Sequence, residues 1–103
     1  MAKTKEEAVF ILKQILEEMK SEFDIKEAYL FGSFAYGTND ENSDIDAGVV
    51  LNHDIDFNEK LKIFSKAQEL NNIVELLAFS EKDFDIVSSD IIYEIKNKGI
   101  KVL

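Results

Sequence analysis

The 103-residue chain has no cysteine, no proline, no tryptophan and no arginine, and it has a single histidine. The lack of cysteine excludes disulfides and thiolate metal sites. The lack of proline leaves glycine, asparagine and serine to mark the ends of elements. With no arginine, 12 basic residues stand against 21 acidic ones, a net charge of −9. That balance excludes the basic footprint by which proteins grip nucleic acid backbones. No apolar run approaches the ~20 residues of a membrane span. Residues 1–7 lack the apolar core of a signal peptide. The expectation is a cytoplasmic chain without nucleic-acid or membrane contact. So acidic a surface suits divalent cations or a basic protein partner, or simply maintains solubility.

Apolar residues are plentiful. They make up 46% of the chain, with eight phenylalanines, which argues against disorder. The length predicts one domain, residues 1–103, that hides roughly 60–65% of its unfolded surface.

Thr4-Lys5-Glu6-Glu7 is a capping box. Ala8, Ile11, Leu12, Ile15, Leu16 and Met19 follow at helical spacing and predict a helix over residues 5–20. After a turn at 21–24, residues 25–31 read as a central strand and 33–37 as a short helical turn. Residues 38–43 are a polar loop, and 44–51 a second strand in which Gly48 leaves room beside the acids on its side. Asp56-Phe57-Asn58-Glu59 is a second capping box, opening a helix to Leu70 that Asn71-Asn72 ends. Residues 73–79 are too apolar for a loop and too short for a helix, so they read as a third strand. Residues 80–87 form a turn with room for one helical turn. Ser88 or Ser89 then caps a last helix with Ile91, Ile92 and Ile95 inward, and Gly99 ends it before a strand at 100–103.

Three Asp-x-Asp pairs occur, at 44–46, 54–56 and 83–85. The second sits at a helix start, where Asp56 serves as a cap, and the third in a turn. Only Asp44-Ile45-Asp46 runs straight into an apolar strand. Residues two apart on a strand share a side, so these carboxylates repel one another and call for a cation. Across an interval of ten residues, Gly32-Ser33 ends the first strand in a small polar turn of the kind whose backbone N–H groups hold phosphate. Two other motifs fail. Gly32 to Thr38 lacks the lysine of a P-loop. Asp40, Asn42 and Asp44 have EF-hand spacing, but Ile45 stands where the turn glycine belongs and Leu51 where the bidentate glutamate belongs. The one histidine, His53, lies in a polar loop with no partner motif and is expected to be exposed, and Tyr36 reads as packing.

Strand, Gly-Ser, ten residues, Asp-x-Asp and strand together resemble the signature of the DNA polymerase β-like nucleotidyltransferases, most closely the small prokaryotic minimal nucleotidyltransferase (MNT) branch. The resemblance implies an α+β fold, a small mixed sheet of about four strands with helices packed on it. It implies that Gly32 and Ser33 cradle the β- and γ-phosphates of a nucleoside triphosphate, ATP in the first instance. It implies that Asp44 and Asp46 bind two Mg²⁺ ions. The family's third carboxylate, usually Asp, falls on the next strand, where the only acid is Glu75. With Phe34-Ala35-Tyr36 where relatives carry a basic residue, triphosphate charge falls to Mg²⁺, backbone N–H groups and lysine, with Lys62 and Lys66 as candidates.

Members of this branch often act as antitoxins that adenylylate a tyrosine of a HEPN-domain partner. The resemblance thus implies an Mg²⁺-dependent, two-metal nucleotidyltransferase acting on a protein hydroxyl within a hetero-oligomer. Two other readings stand beside it: a subunit that neutralises its partner by contact, and a small-molecule nucleotidyltransferase, whose usual extra helical domain is absent here.

Overall fold

A computed structural model of the chain describes residues 4–85 and 89–103. Thr4 opens the first helix, α1 (Lys5–Met19), by accepting the Glu7 amide at 3.1 Å. Ala8, Leu12, Ile15, Leu16 and Met19 form its buried stripe. Then follow β1 (Ile25–Phe31), α2 (Ser33–Tyr36), β2 (Ile45–Leu51), α3 (Phe57–Leu70), β3 (Val74–Ser80), α4 (Glu81–Asp85), α5 (Asp90–Lys98) and β4 (Ile100–Lys101). The four strands form one mixed sheet in the order β3-β2-β1-β4. β1 and β2 are an antiparallel pair, β4 adds antiparallel to β1, and β3 adds parallel to β2 across the α3 crossover. This is the α+β arrangement expected from the sequence. No helix of the described residues is long and apolar enough to cross a membrane.

Strand alternation divides the sheet into two unequal faces. Ala28, Leu30, Ile45, Ala47, Val49, Leu51, Val74 and Leu76 point to one face and pack with Leu12, Met19 and Ile63 of α1 and α3. Burial of each large side chain there contributes about 1.5–3 kcal/mol. Phe31 and Val50 point to the other face, where Phe84 of α4 and Ile92 and Ile95 of α5 make a smaller cluster. Tyr29 and Phe79 flank it, with the Tyr29 and Phe84 rings stacked at 5.4 Å.

The departures from expectation are local. β2 begins at Ile45, so Asp44 lies just before the strand and is exposed. Ser89 caps α5, its hydroxyl accepting the Ile92 amide at 3.2 Å, while Ser88, the alternative cap, and Val87, the expected end of the turn, lie outside the described residues. Ile91, expected inward, is 43% exposed, because α5 meets the sheet through Ile92 and Ile95 alone. His53 is exposed as expected, but it has a partner: its Nε2 lies 2.9 Å from Glu59 Oε2.

The Asp54–Asp56 pair is structural as read from sequence: Asp56 caps α3 by accepting the Glu59 amide at 2.8 Å. Replacing this cap, Asp56→Ala, should lower stability by about 1 kcal/mol. Asp54→Ala should change it by less than about 0.5 kcal/mol. Urea unfolding of the two variants checks the difference.

Candidate active site

The β1–β2 hairpin and the β2–β3 pair meet at Asp46. In register, Asp46 lies between Phe31 of β1 and Glu75 of β3. Its neighbours Ile45 and Ala47 are buried towards α1 and α3, so Asp46 and Glu75 project together from the opposite face. Both are half-buried at the end of the sheet. Gly32 follows Phe31 with φ +78, a conformation that side chains disfavour. A Cβ there would collide with the Asp46 carboxylate and lie 3.1 Å from its Cβ and Cγ. The backbone of Gly32 therefore rests directly against the Asp46 side chain, and only glycine permits that approach.

Asp44 reaches the same end of the sheet from the loop. That loop is shaped by Asp40, whose Oδ1 accepts the Asn42 amide at 2.8 Å and whose own amide donates to Ser43 Oγ at 2.8 Å. The carboxylate of Asp40 thus serves the turn, which explains the EF-hand-like spacing without a calcium role. Ser33 is the first residue of α2, with Gly32 in the cap position.

Electrostatics set Asp46 apart. Burial first, then a hydrogen bond shared with Glu75 and repulsion from Glu75, Asp44 and Glu94, push its carboxyl up from 3.8 to about 6. The ion pairs of the described residues, Lys20–Glu17, Lys26–Glu81, His53–Glu59 and Lys101–Glu27, all lie elsewhere. Among the described residues no three carboxylates or imidazoles stand close enough to enclose an ion. The Asp46–Glu75 pair is assembled, with Asp44 beside it on the exposed loop. The donor set is all oxygen, in keeping with a hard divalent cation.

Two further side chains belong to the site, and sequence reading missed both. Glu94 comes from α5, which Ile92 and Ile95 dock on this face. Nothing in the sequence announces that this helix covers Asp46. Tyr36 lies one helical turn after Gly32, its amide bonded to the Gly32 carbonyl at 3.1 Å. Burial first, then a hydrogen bond to Glu94, push its hydroxyl up to about 12. The i, i+4 spacing from Gly32 was a legible signal for Tyr36. The lysine found here is Lys98, whose Nζ is 5.9 Å from the Tyr36 ring centre. Lys62 instead lines a cavity with Glu22, Phe23 and Asp56, and α3, which also carries Lys66, packs on the opposite face of the sheet. Neither expected lysine is placed to meet a triphosphate at Asp46.

A family model described as a nucleotidyltransferase domain matches residues 12–102. Several solved structures share the fold. A chain from a toxin–antitoxin complex with AMP-PNP aligns at a TM-score of 0.68 and 21% identity, over 92% of this chain and 72% of that one. A protein from Sulfolobus solfataricus, provisionally named a nucleotidyltransferase, aligns at 0.69 and 23%, over 98% and 87%. A chain from a complex of a tri-AMPylated HEPN toxin with an MNT antitoxin from Shewanella oneidensis aligns at 0.59 and 14%, over 97% and 72%. At such identities the likeness is one of fold. No curated protein sequence matches the chain significantly.

Two outcomes are expected in the metal-free protein. The Asp46 carboxyl titrates higher folded (about 6) than at its ordinary 3.8, so its ionisation opposes folding above about pH 6 and ceases to do so as the pH falls towards 4. Asp46→Asn should therefore raise the melting midpoint by a few degrees at pH 7, and the gain should vanish near pH 4. Melting curves of both proteins across that range check it. Gly32→Ala should cost about 1–3 kcal/mol in urea unfolding, from its backbone conformation and the Asp46 collision together.

Proposed function

The chain belongs to the nucleotidyltransferase domain family, and on that footing we propose that it moves a nucleoside monophosphate, AMP from ATP, onto a hydroxyl of a partner protein. One observation carries the reading: Asp46 and Glu75 stand in register on adjacent strands, with the Gly32 backbone pressed against Asp46. Asp44, Asp46 and Glu75 would hold two Mg²⁺ ions. Bound there, magnesium would neutralise the triphosphate and ease ionisation of the acceptor hydroxyl. The backbone at Gly32 and Ser33 receives the β- and γ-phosphates beside Asp46. Glu75, on the outer strand, takes the proton of the acceptor hydroxyl. The acceptor oxygen bonds to the α-phosphorus as the bond to the bridging oxygen breaks, and pyrophosphate leaves. The chain acts as one minimal domain in the cytoplasm.

The partner is a HEPN-domain protein, and the pair forms a toxin–antitoxin hetero-oligomer. This is supported by the fold shared with chains of such complexes, one of them holding AMP-PNP and another a tri-AMPylated HEPN toxin. The net charge of −9 likewise favours a protein acceptor over a nucleic acid one. A second reading, neutralisation by contact, is favoured by the exposed position of Asp44 apart from the Asp46–Glu75 pair.

Incubation with the product of the neighbouring reading frame, Mg²⁺ and each NTP, followed by mass spectrometry, tests the proposal. The partner should gain adenylyl groups from ATP, and Asp44→Asn with Asp46→Asn should abolish the gain and the neutralisation together. Glu75→Gln should slow transfer by about 10²–10⁴-fold. Full neutralisation by the double variant would establish the contact reading instead.

A further inference from the structure

The end of the sheet at Asp46 is crowded with negative groups: Asp44, Glu75 and Glu94 all act on Asp46. A triphosphate brought there adds further negative charge, so the position of each nearby cation matters. Lys20, Lys26 and Lys101 are held in ion pairs with Glu17, Glu81 and Glu27. Lys60 and Lys62 line cavities that include neither Asp46 nor Glu75.

Two lysines, Lys96 and Lys98, end α5, where the negative end of the helix dipole suits a cation. From there they diverge. Lys96 Nζ lies 5.0 Å from the centre of the Phe84 ring, in the smaller apolar cluster. Lys98 Nζ lies 5.9 Å from the centre of the Tyr36 ring. Glu94, one turn earlier on α5, is the usual i, i+4 partner for Lys98. Its carboxylate is bonded instead to the Tyr36 hydroxyl, and no ion pair among the described residues includes Lys98.

Two separate features bring Lys98 to Gly32. The first is Tyr36: the ring that Lys98 covers carries a hydroxyl bonded to the Gly32 backbone as well as to Glu94. The second is the ladder between β1 and β4, in which Tyr29 pairs with Lys101 and Leu30 with Ile100. Two residues beyond Leu30 stands Gly32, and two before Ile100 stands Lys98. Only Gly99 separates α5 from β4, and a Cβ at that position would collide with the Ile95 carbonyl. The junction is therefore tight, and the ladder fixes the end of α5 opposite the Gly32 turn. The stem of Lys98 is flexible, and a cation over an exposed ring is held weakly, so its ammonium is able to turn to an anion beside the ring.

We propose that Lys98 binds the β- and γ-phosphates of the nucleoside triphosphate at the Gly32–Ser33 turn. The proposal rests on the transfer reading above and adds to it a cation from the chain itself. An ammonium donating to phosphate oxygens makes charge-assisted hydrogen bonds, roughly twice as strong as neutral ones. The contact is with the part of the substrate that leaves as pyrophosphate. Lys98 thus selects a triphosphate over a monophosphate and stabilises the charge that gathers on the leaving group.

Calorimetry with AMP-PNP and Mg²⁺, with no partner protein present, tests the proposal. Lys98→Gln should weaken binding at least about tenfold. Lys96→Gln removes the same charge two residues away and should weaken it less than about twofold, since solvent screens an exposed charge that makes no contact. Lys98→Arg keeps the charge and should bind within about threefold of the unaltered chain. Both positions are exposed, so the melting midpoints should not change. An equal loss in Lys96→Gln would reduce the effect to the general field of the chain, and an equal loss in Lys98→Arg would assign it to packing; either overturns the proposal. If Lys98→Gln binds as tightly as the unaltered chain, the proposal falls and the transfer reading stands. If the unaltered chain binds no AMP-PNP, the transfer reading falls, and the role of Lys98 with it.

Discussion

Two carboxylates side by side on neighbouring strands are the constraint around which this chain is built. The parallel register of β2 and β3 sets Asp46 beside Glu75, and the large core of α1 and α3 on the opposite face holds that register. A slip of β2 by one residue would turn Ile45 and Ala47 out and Asp46 into that core, at a cost comparable to the stability of a small domain. The core therefore enforces the repulsion between the acids. A divalent cation would convert that repulsion into binding energy, and this link between packing and function is the centre of the account.

The unequal faces of the sheet serve the site in different ways. One face is an apolar layer closed by two long helices. The other is only partly covered, by α4 and α5, and the site lies at its margin, where Ile92 and Ile95 hold α5 close enough for Glu94 to reach Asp46. The same light cover leaves Ile91 out of the core. At the outer strand β3 one outward carbonyl is capped by Gln68, and Leu76 and Ala78 are buried.

Much of this was legible in the sequence, because each element carries its own signal. Capping boxes at Thr4 and Asp56 marked helix starts, and the apolar runs after Asp44 and from Ile73 marked strands. Gly32 stood out through its spacing to Asp46, and the structure gives the reason, a positive φ and no room for a side chain. Glu75 could be singled out because it was the only acid in its strand. What the sequence did not disclose depends on how elements lie against one another. The approach of Glu94 depends on the docking angle of α5, and the placement of Lys62 and Lys66 on the wrong side depends on which face α3 covers. Asp44 was read into the strand because its loop is pinned by Asp40, a contact invisible in strand periodicity.

The central claim is that the end of the sheet at Asp46 and Glu75, and no other acidic pair, receives a divalent cation. Paramagnetic broadening of amide resonances by substoichiometric Mn²⁺ tests it directly. The account predicts broadening confined to residues 32–33, 44–46 and 75 and its near neighbours, reversed by excess Mg²⁺. Broadening centred on the acidic pairs at 54–56 or 83–85, or none at the strand end, would contradict it.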